Sequence, residues 1–287
     1  MPEYKNTWDD AAKLWLEETR HKRSHRDDKA KLKWLKQHLG GKSLDSITRD
    51  QIKKLGALKA EESSSSTANR YLALVRAIFR RAAHEWEWID KPPFVRLYPE
   101  KTRRVRWLTP DQAATLLDEL PEHQVQPMLF ALATGLRQSN VLGLTWQQID
   151  MKRRTAWLHG EQVKNGEDLH VSLNDMAMSV LYARRWVHST HVFTYQGKPI
   201  KRLTTRAWYK ALKRAKIENF RWHDLRHTWA SWLVQEGVPL YAVQEMGGWK
   251  SACMVRKYAH LSPAHNLHHA QSIDQNLRVV HKRRNKD

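Results

Sequence analysis

Residues 91–106, KPPFVRLYPEKTRRVR, hold three prolines and six basic side chains and carry no helical period. Proline fixes φ and removes a backbone donor, so neither a helix nor a central strand runs through such a stretch. On both sides the sequence returns to apolar residues at helical spacing. The chain therefore reads as two parts, 1–90 and 107–287, joined by a cationic linker at 91–106. A length of 287 residues is compatible with two ordinary domains.

Glycine is scarce, at 11 residues, and most segments carry an apolar stripe, so the expected class is mainly α. In the first part, Ala12, Trp15 and Leu16 share a face behind Thr7 as N-cap. Leu32, Leu35 and Leu39 form a stripe that ends at Gly40-Gly41, and Thr48 caps a helix carrying Ile52 and Leu55. A polar loop at 63–66 precedes a strong helix over 67–86, with Tyr71, Leu74, Val75, Ile78 and Phe79 on its buried side. Its opposite face carries Arg70, Arg76, Arg80 and Arg81. A basic face of this kind suits a helix lying along a phosphate backbone, and equally a solvated charged surface.

In the second part, Thr109-Pro110-Asp111 combines a cap, proline at the first helical position and an acidic first turn. Helices are expected over 110–120, 124–134, 138–142, 175–187, 203–215, 223–236 and 239–246, with a turn at Thr134-Gly135. The one convincing β region is 154–174, where alternating runs at 155–159 and 169–173 flank Asn165-Gly166, a hairpin turn signal. The expected fold is mainly α with a small antiparallel β-sheet.

Lys and Arg number 50 against 30 Asp and Glu, a formal net charge of +20. A folded chain with that excess repels itself unless something anionic compensates, so nucleic acid is the first partner to consider and an acidic membrane surface the second. A single cysteine, Cys253, excludes an intramolecular disulfide framework and a cysteine-rich zinc site, and fits a reducing cytoplasm. No apolar run is long enough to cross a membrane, and the polar N-terminus lacks a signal-peptide pattern. Gly41-Lys42-Ser43 resembles the end of a phosphate-binding loop, but Lys36 stands where its first glycine belongs. No acidic cluster suggests a two-metal nuclease centre. His223 and His227 have the i, i+4 spacing of a zinc pair, yet Asp224 replaces the required glutamate and Arg226 crowds the same face.

The informative constellation is Arg137 after Thr-Gly-Leu, Lys164 in the hairpin turn, His223 and Arg226 at i, i+3, Trp249 after Gly-Gly, and Tyr258 nine residues later. Two arginines at one phosphate can neutralise its non-bridging oxygens in the transition state. A tyrosine needs a base or nearby cations to become a nucleophile at neutral pH. Lysine or histidine can carry the protons of attack and departure. These residue types supply the transfer of a phosphodiester to a protein hydroxyl without a cofactor or metal.

Thr134-Gly135-Leu136-Arg137, His223-Asp224-Leu225-Arg226-His227-Thr228, Met246-Gly247-Gly248-Trp249 and Val255-Arg256-Lys257-Tyr258-Ala259-His260-Leu261 resemble, in order and spacing, the motif series of the tyrosine recombinases, the phage-integrase family. The resemblance spans roughly residues 107–262. It implies a helical core-binding (SAM-like) domain over 1–90 and a catalytic domain over 107–287 with a tail from about 265, closing as a C-shaped clamp on duplex DNA. Arg137 and Arg226 would clamp the phosphate, and Lys164 would be the general acid to the leaving 5′-oxygen. His223 would assist proton transfer or bind phosphate. Trp249 stands where many members have histidine, and Tyr258 would form the 3′-phosphotyrosyl link. His227 reads as structural or as a support behind the residues that touch the phosphate.

The implied activity is site-specific recombination, integrating or excising a mobile element, by a homotetramer on double-stranded attachment sites. Accessory bending or directionality proteins and a nucleoid location would accompany it. Candidate DNA contacts are Arg70, Arg76, Arg80, Arg103, Arg104 and Arg206. Asn140 departs from the family, which usually has Glu or Asp three residues after the first arginine. No obvious arm-site domain precedes the core-binding region, as in a short member or a piece of a longer integrase. A type IB topoisomerase-like enzyme and a DNA-binding protein without catalysis remain the alternative readings.

Overall fold

The computed structural model describes residues 6–100, 105–163, 166–261, 270–271, 273–274 and 277–278. It divides into two compact units, Met1–Arg103 and Arg104–Asp287.

Unit 1 is four helices: α1 (Trp8–Glu18), α2 (His25–Leu39), α3 (Arg49–Glu62) and α4 (Ser65–His84). Thr7 and Thr48 each cap a helix and donate their own amides to the side-chain oxygens three residues on, of Asp10 and Gln51. Such boxes satisfy donors that a helix start leaves orphaned. Trp8, Trp15, Leu35, Leu39, Ile52, Val75, Ile78 and Phe79 fill the core. The cap of α4 is Ser64 rather than a residue at the end of the serine run, so Ser65 and Ser66 are helical.

The proline-rich segment is not a free linker along its whole length. Val95 is buried with the core of unit 1, and Leu97 and Tyr98 pack on it. Asn69, itself buried in α4, accepts from the Tyr98 amide at 2.8 Å and donates to the Tyr98 carbonyl at 2.9 Å. A side-chain amide that pairs both groups of one residue does the work of a strand partner, which is how a segment without a helical period is held in place. Arg103 and Arg104 lie outside the described residues.

Unit 2 begins with α5 (Pro110–Glu119), α6 (Glu122–Thr134) and α7 (Gln138–Leu142), followed by strands β1 (Ile149–Asp150), β2 (Thr155–Leu158) and β3 (Leu169–Ser172). After α8 (Asp175–Arg184) and the short strands β4 (Thr194–Tyr195) and β5 (Lys198–Pro199), it ends in α9 (Arg206–Arg214), α10 (Asp224–Gln235), α11 (Leu240–Gly247) and α12 (Cys253–Arg256). The first sheet is antiparallel in the order β1-β2-β3. Ala156 opposite Val171 and Leu158 opposite Leu169 point into the core, while Trp157 opposite His170 faces out. Two β features escaped the sequence reading: β1, and the β4–β5 hairpin, which turns at Gln196-Gly197 with both residues at positive φ. Two-residue strands are too short to show alternation.

The main core of unit 2 includes Leu108, Leu116, Phe130, Val141, Phe193, Trp208 and Leu225. A second, smaller cluster gathers Trp229, Val234, Val243, Trp249, Val255 and Tyr258. Helix α10 packs on both α6 and α11. Among the described residues no helix is long and apolar enough to cross a membrane, and no group of His, Cys, Asp and Glu could hold a metal ion.

Candidate active site

Helix α6 ends at Gly135, in the left-handed conformation at φ +66°, and the chain restarts at once with Arg137 as the N-cap of α7. Gly135 has no alternative there: a Cβ would stand 2.3 Å from the Trp229 ring. The turn therefore delivers Arg137 next to α10, whose first turn carries Arg226 and His227 just after His223. Helix α10 is pinned from both sides of one residue. Thr228 Oγ1 accepts from the Leu108 amide at 3.2 Å, and Trp232 Nε1 donates to the Leu108 carbonyl at 2.9 Å.

Arg226 is only 3% exposed. Its guanidinium donates to the Gly135 carbonyl at 2.8 Å and, more closely still, to the Gly247 carbonyl. Its remaining face lies over Trp249, 4.0 Å from the ring centroid. Gly247, like Gly135, is a close approach, since a Cβ would meet the Trp249 ring at 2.2 Å. Burial, with Arg137 nearby, brings the Arg226 guanidinium down to about 9, so it stays charged at neutral pH. Among the described residues no carboxylate pairs with Arg226, Arg137 or Lys257. A buried cation held only by carbonyl dipoles is a costly arrangement unless an anion completes it. Cations at a helix N-terminus also oppose the helix dipole, which favours negative charge at that end.

These groups open onto a cleft of about 390 Å³ lined by Arg137, His223, Arg226, His227, Trp249 and Lys257 among others. Four of the six expected catalytic residues thus come together. Tyr258 is different: it is fully buried and does not line the cleft. Its hydroxyl stands 2.5 Å from His227 Nδ1. Burial pushes the phenol up, against the pull of Arg226, so it is protonated. His227 is held down to about 3 by burial and by the charges of Lys257, His223, Arg226 and Arg221, so its ring is neutral. The contact therefore joins a neutral imidazole to a neutral phenol. His227, expected as structural, sits between Tyr258 and the cleft, its ring 5.2 Å from that of His223. Lys164 lies outside the described residues.

Asn140 is buried, and its Nδ2 donates to the Gln162 carbonyl at 2.8 Å. The Gln162 side chain in turn accepts from Gln148 at 2.7 Å, and Gln148 also bonds the Trp157 carbonyl at 2.9 Å. This network ties α7 to the sheet through a donation that a carboxylate cannot make. Asn140 is fitted to its partner here rather than an acid that has lost its charge. Asn140→Asp should destabilise unit 2 by about 1–3 kcal/mol, the cost of a buried carbonyl losing its donor and facing a carboxylate. Urea unfolding followed by tryptophan fluorescence would check it.

Of the expected DNA contacts, Arg70 and Arg80 are exposed on α4 and Arg76 is half-buried between them. Arg81, on the same helix, is taken up by Glu18 at 2.6 Å and Glu85 at 3.2 Å. Arg206 is exposed at the first residue of α9.

Both cleft imidazoles are depressed: His227 as above, and His223 by its partly desolvated place beside Arg226. The unfolded chain takes up these protons near pH 6.5 whereas the folded chain resists them, so stability is intact above about pH 6.5 and is lost as pH falls towards 3. The melting temperature should drop by several degrees between pH 7.5 and pH 5, and His227→Gln should narrow that drop.

Two guanidinium groups, one buried with no carboxylate partner among the described residues, stand near a phenol in contact with an imidazole, the groups that phosphodiester transfer to a hydroxyl would use. Residues 106–265 match the phage integrase family. The integrase of Salmonella phage P22 is 41% identical, the match covering 93% of this chain and 80% of that one. Among solved structures, the Tn1549 transposon integrase in complex with circular intermediate DNA superposes with a TM-score of 0.70 at 19% identity, covering 86% of this chain and 94% of that one. The lambda integrase tetramer bound to a Holliday junction gives 0.71 at 20% identity, covering 86% and 76%. The chain belongs to the phage integrase family, and its activity is that of a tyrosine-type site-specific recombinase.

Proposed function

We propose that the chain binds double-stranded attachment sites and breaks and rejoins their strands through Tyr258, integrating or excising a mobile element. The observation that carries this reading is the buried Arg226 guanidinium, fixed by two carbonyls and a tryptophan face, next to Arg137 and with no carboxylate partner among the described residues. A phosphodiester is the anion that such a cradle fits. Arg137 and Arg226 hold its non-bridging oxygens and stabilise the charge that builds as a fifth oxygen approaches phosphorus. Trp249 fixes the plane of Arg226, and His223 stands at the same cleft to bind the phosphate.

Tyr258 attacks the phosphorus, the bond to the 5′-oxygen breaks, and Lys164 protonates that oxygen as it leaves. The 3′-phosphotyrosyl product conserves a phosphodiester, so the free 5′-hydroxyl can reverse the step without ATP. Exchange between two duplexes requires four protomers, and the likeness to a tetramer on a Holliday junction supports that assembly here. Arg70, Arg76, Arg80 and Arg206 supply backbone contacts, and the work is done on the nucleoid.

The test uses a nicked duplex carrying the attachment site, so that the short cleaved fragment diffuses away and the covalent complex accumulates. Protein, duplex and EDTA are mixed and run on a denaturing gel. A protein–DNA adduct is expected. Binding without an adduct would favour a non-catalytic DNA-binding protein, and relaxation of plasmids lacking any site would favour a topoisomerase.

A further inference from the structure

The family resemblance offers His223 for the proton of the tyrosine. Tyr258 must lose it on attack and regain it on rejoining, and the two histidines of the cleft are not equivalent in reach. His223 lies at the N-cap of α10, its ring 5.2 Å from that of His227 and edge-on to it. His227 Nδ1 is the atom in hydrogen-bond contact with Tyr258 Oη, and the same residue lines the cleft that the phosphate would enter. We infer that His227 is the general base for Tyr258, taking the phenolic proton on Nδ1 as the oxygen attacks phosphorus and returning it when the phenolate leaves. This assignment rests on the recombinase reading and adds a catalytic residue to it.

The step balances. The Oη–H, P–O5′ and Lys164 Nζ–H bonds break, and the Oη–P, Nδ1–H and O5′–H bonds form. Rejoining runs the same transfers backwards, so His227 ends neutral after each cycle.

The surroundings make this base conditional on substrate. Lys257, His223, Arg226 and Arg221 all press on the His227 ring with positive charge, and Arg226 and Asp224 act on the phenol from opposite signs. In the free protein the imidazole is a weak base and the phenol a weak acid, and the tyrosine stays unreactive. A phosphodiester docked on Arg137 and Arg226 brings negative charge into the same cleft. It offsets the cations, strengthens His227 as a base, and couples proton removal to correct placement of the scissile phosphate. Tyrosine ionised before the phosphate arrives would have nothing productive to attack.

The experiment measures single-turnover adduct formation on the nicked duplex for wild type, His227→Gln, His227→Ala and His223→Ala. Each is prepared with tyrosine and with 3,5-difluorotyrosine at position 258. Glutamine fills the imidazole's place and can accept the phenol's hydrogen bond but cannot carry its proton. Both His227 variants should bind the duplex as wild type does and form adduct about 100-fold or more slowly, the scale of a lost general base. The more acidic fluorophenol should recover much of that loss in the His227 variants and little in His223→Ala. A His227→Gln rate within threefold of wild type, or a defect that fluorotyrosine leaves unchanged, would overturn the assignment. Absence of adduct with the wild type itself would overturn the recombinase reading instead.

Discussion

Tyr258→Phe is expected to abolish the covalent DNA adduct altogether while the protein remains folded and bound to its duplex. Phenylalanine keeps the ring that packs among Trp249, Trp229, Val243 and Val255 and removes one oxygen. That oxygen contacts His227 and is the atom that would join to phosphorus. The structural cost is a part-buried imidazole nitrogen without its partner, on the order of 1–3 kcal/mol. Among the described residues no other tyrosine hydroxyl is hydrogen-bonded to a histidine, so catalysis has no substitute there. Denaturing gels with the nicked duplex and a native gel-shift assay on the same preparation would separate the two effects. Adduct formation by Tyr258→Phe would show that another residue is the nucleophile.

Arg226→Lys is expected to slow adduct formation by about 10³-fold, comparable with removing a preorganised transition-state donor. The charge is conserved, so the size of this effect isolates geometry. A planar guanidinium reaches the Gly135 and Gly247 carbonyls at once and lays its face on Trp249. An ammonium is a point charge on a flexible stem and can do neither of these together. Released from its clamp, it would still attract the phosphate but would not hold a trigonal-bipyramidal arrangement. Duplex affinity should therefore change far less than the single-turnover rate. Equal losses in both would mean that Arg226 serves binding alone.

The helix starts at Thr7, Thr48 and Thr109 were legible because a cap and its reciprocal partner are encoded within four residues of sequence. The hairpin of β2 and β3 was legible for the same reason, through local alternation and a turn signal. Arg137, His223, Arg226, Trp249 and Tyr258 could be picked out because their motifs preserve spacing along the chain. The packing of segment 91–100 on unit 1 was not legible. Its composition excludes a helix, but only the distant Asn69 shows that the backbone is nonetheless tied down.

What the amino-acid sequence determined by itself is most of the helices, with α12 (Cys253–Arg256) missed, the basic character and the residue types proposed for the site, since each is written in short-range pattern. Tertiary structure alone decided how those residues meet. It brings Arg226 to a carbonyl 91 residues away, sets Asn140 as a donor to Gln162, and buries Tyr258 against a histidine 31 residues before it. No spacing rule reports such distances. Whether a histidine is structural or a base depends on which atom packing places within hydrogen-bond reach, and packing is settled by the whole core at once.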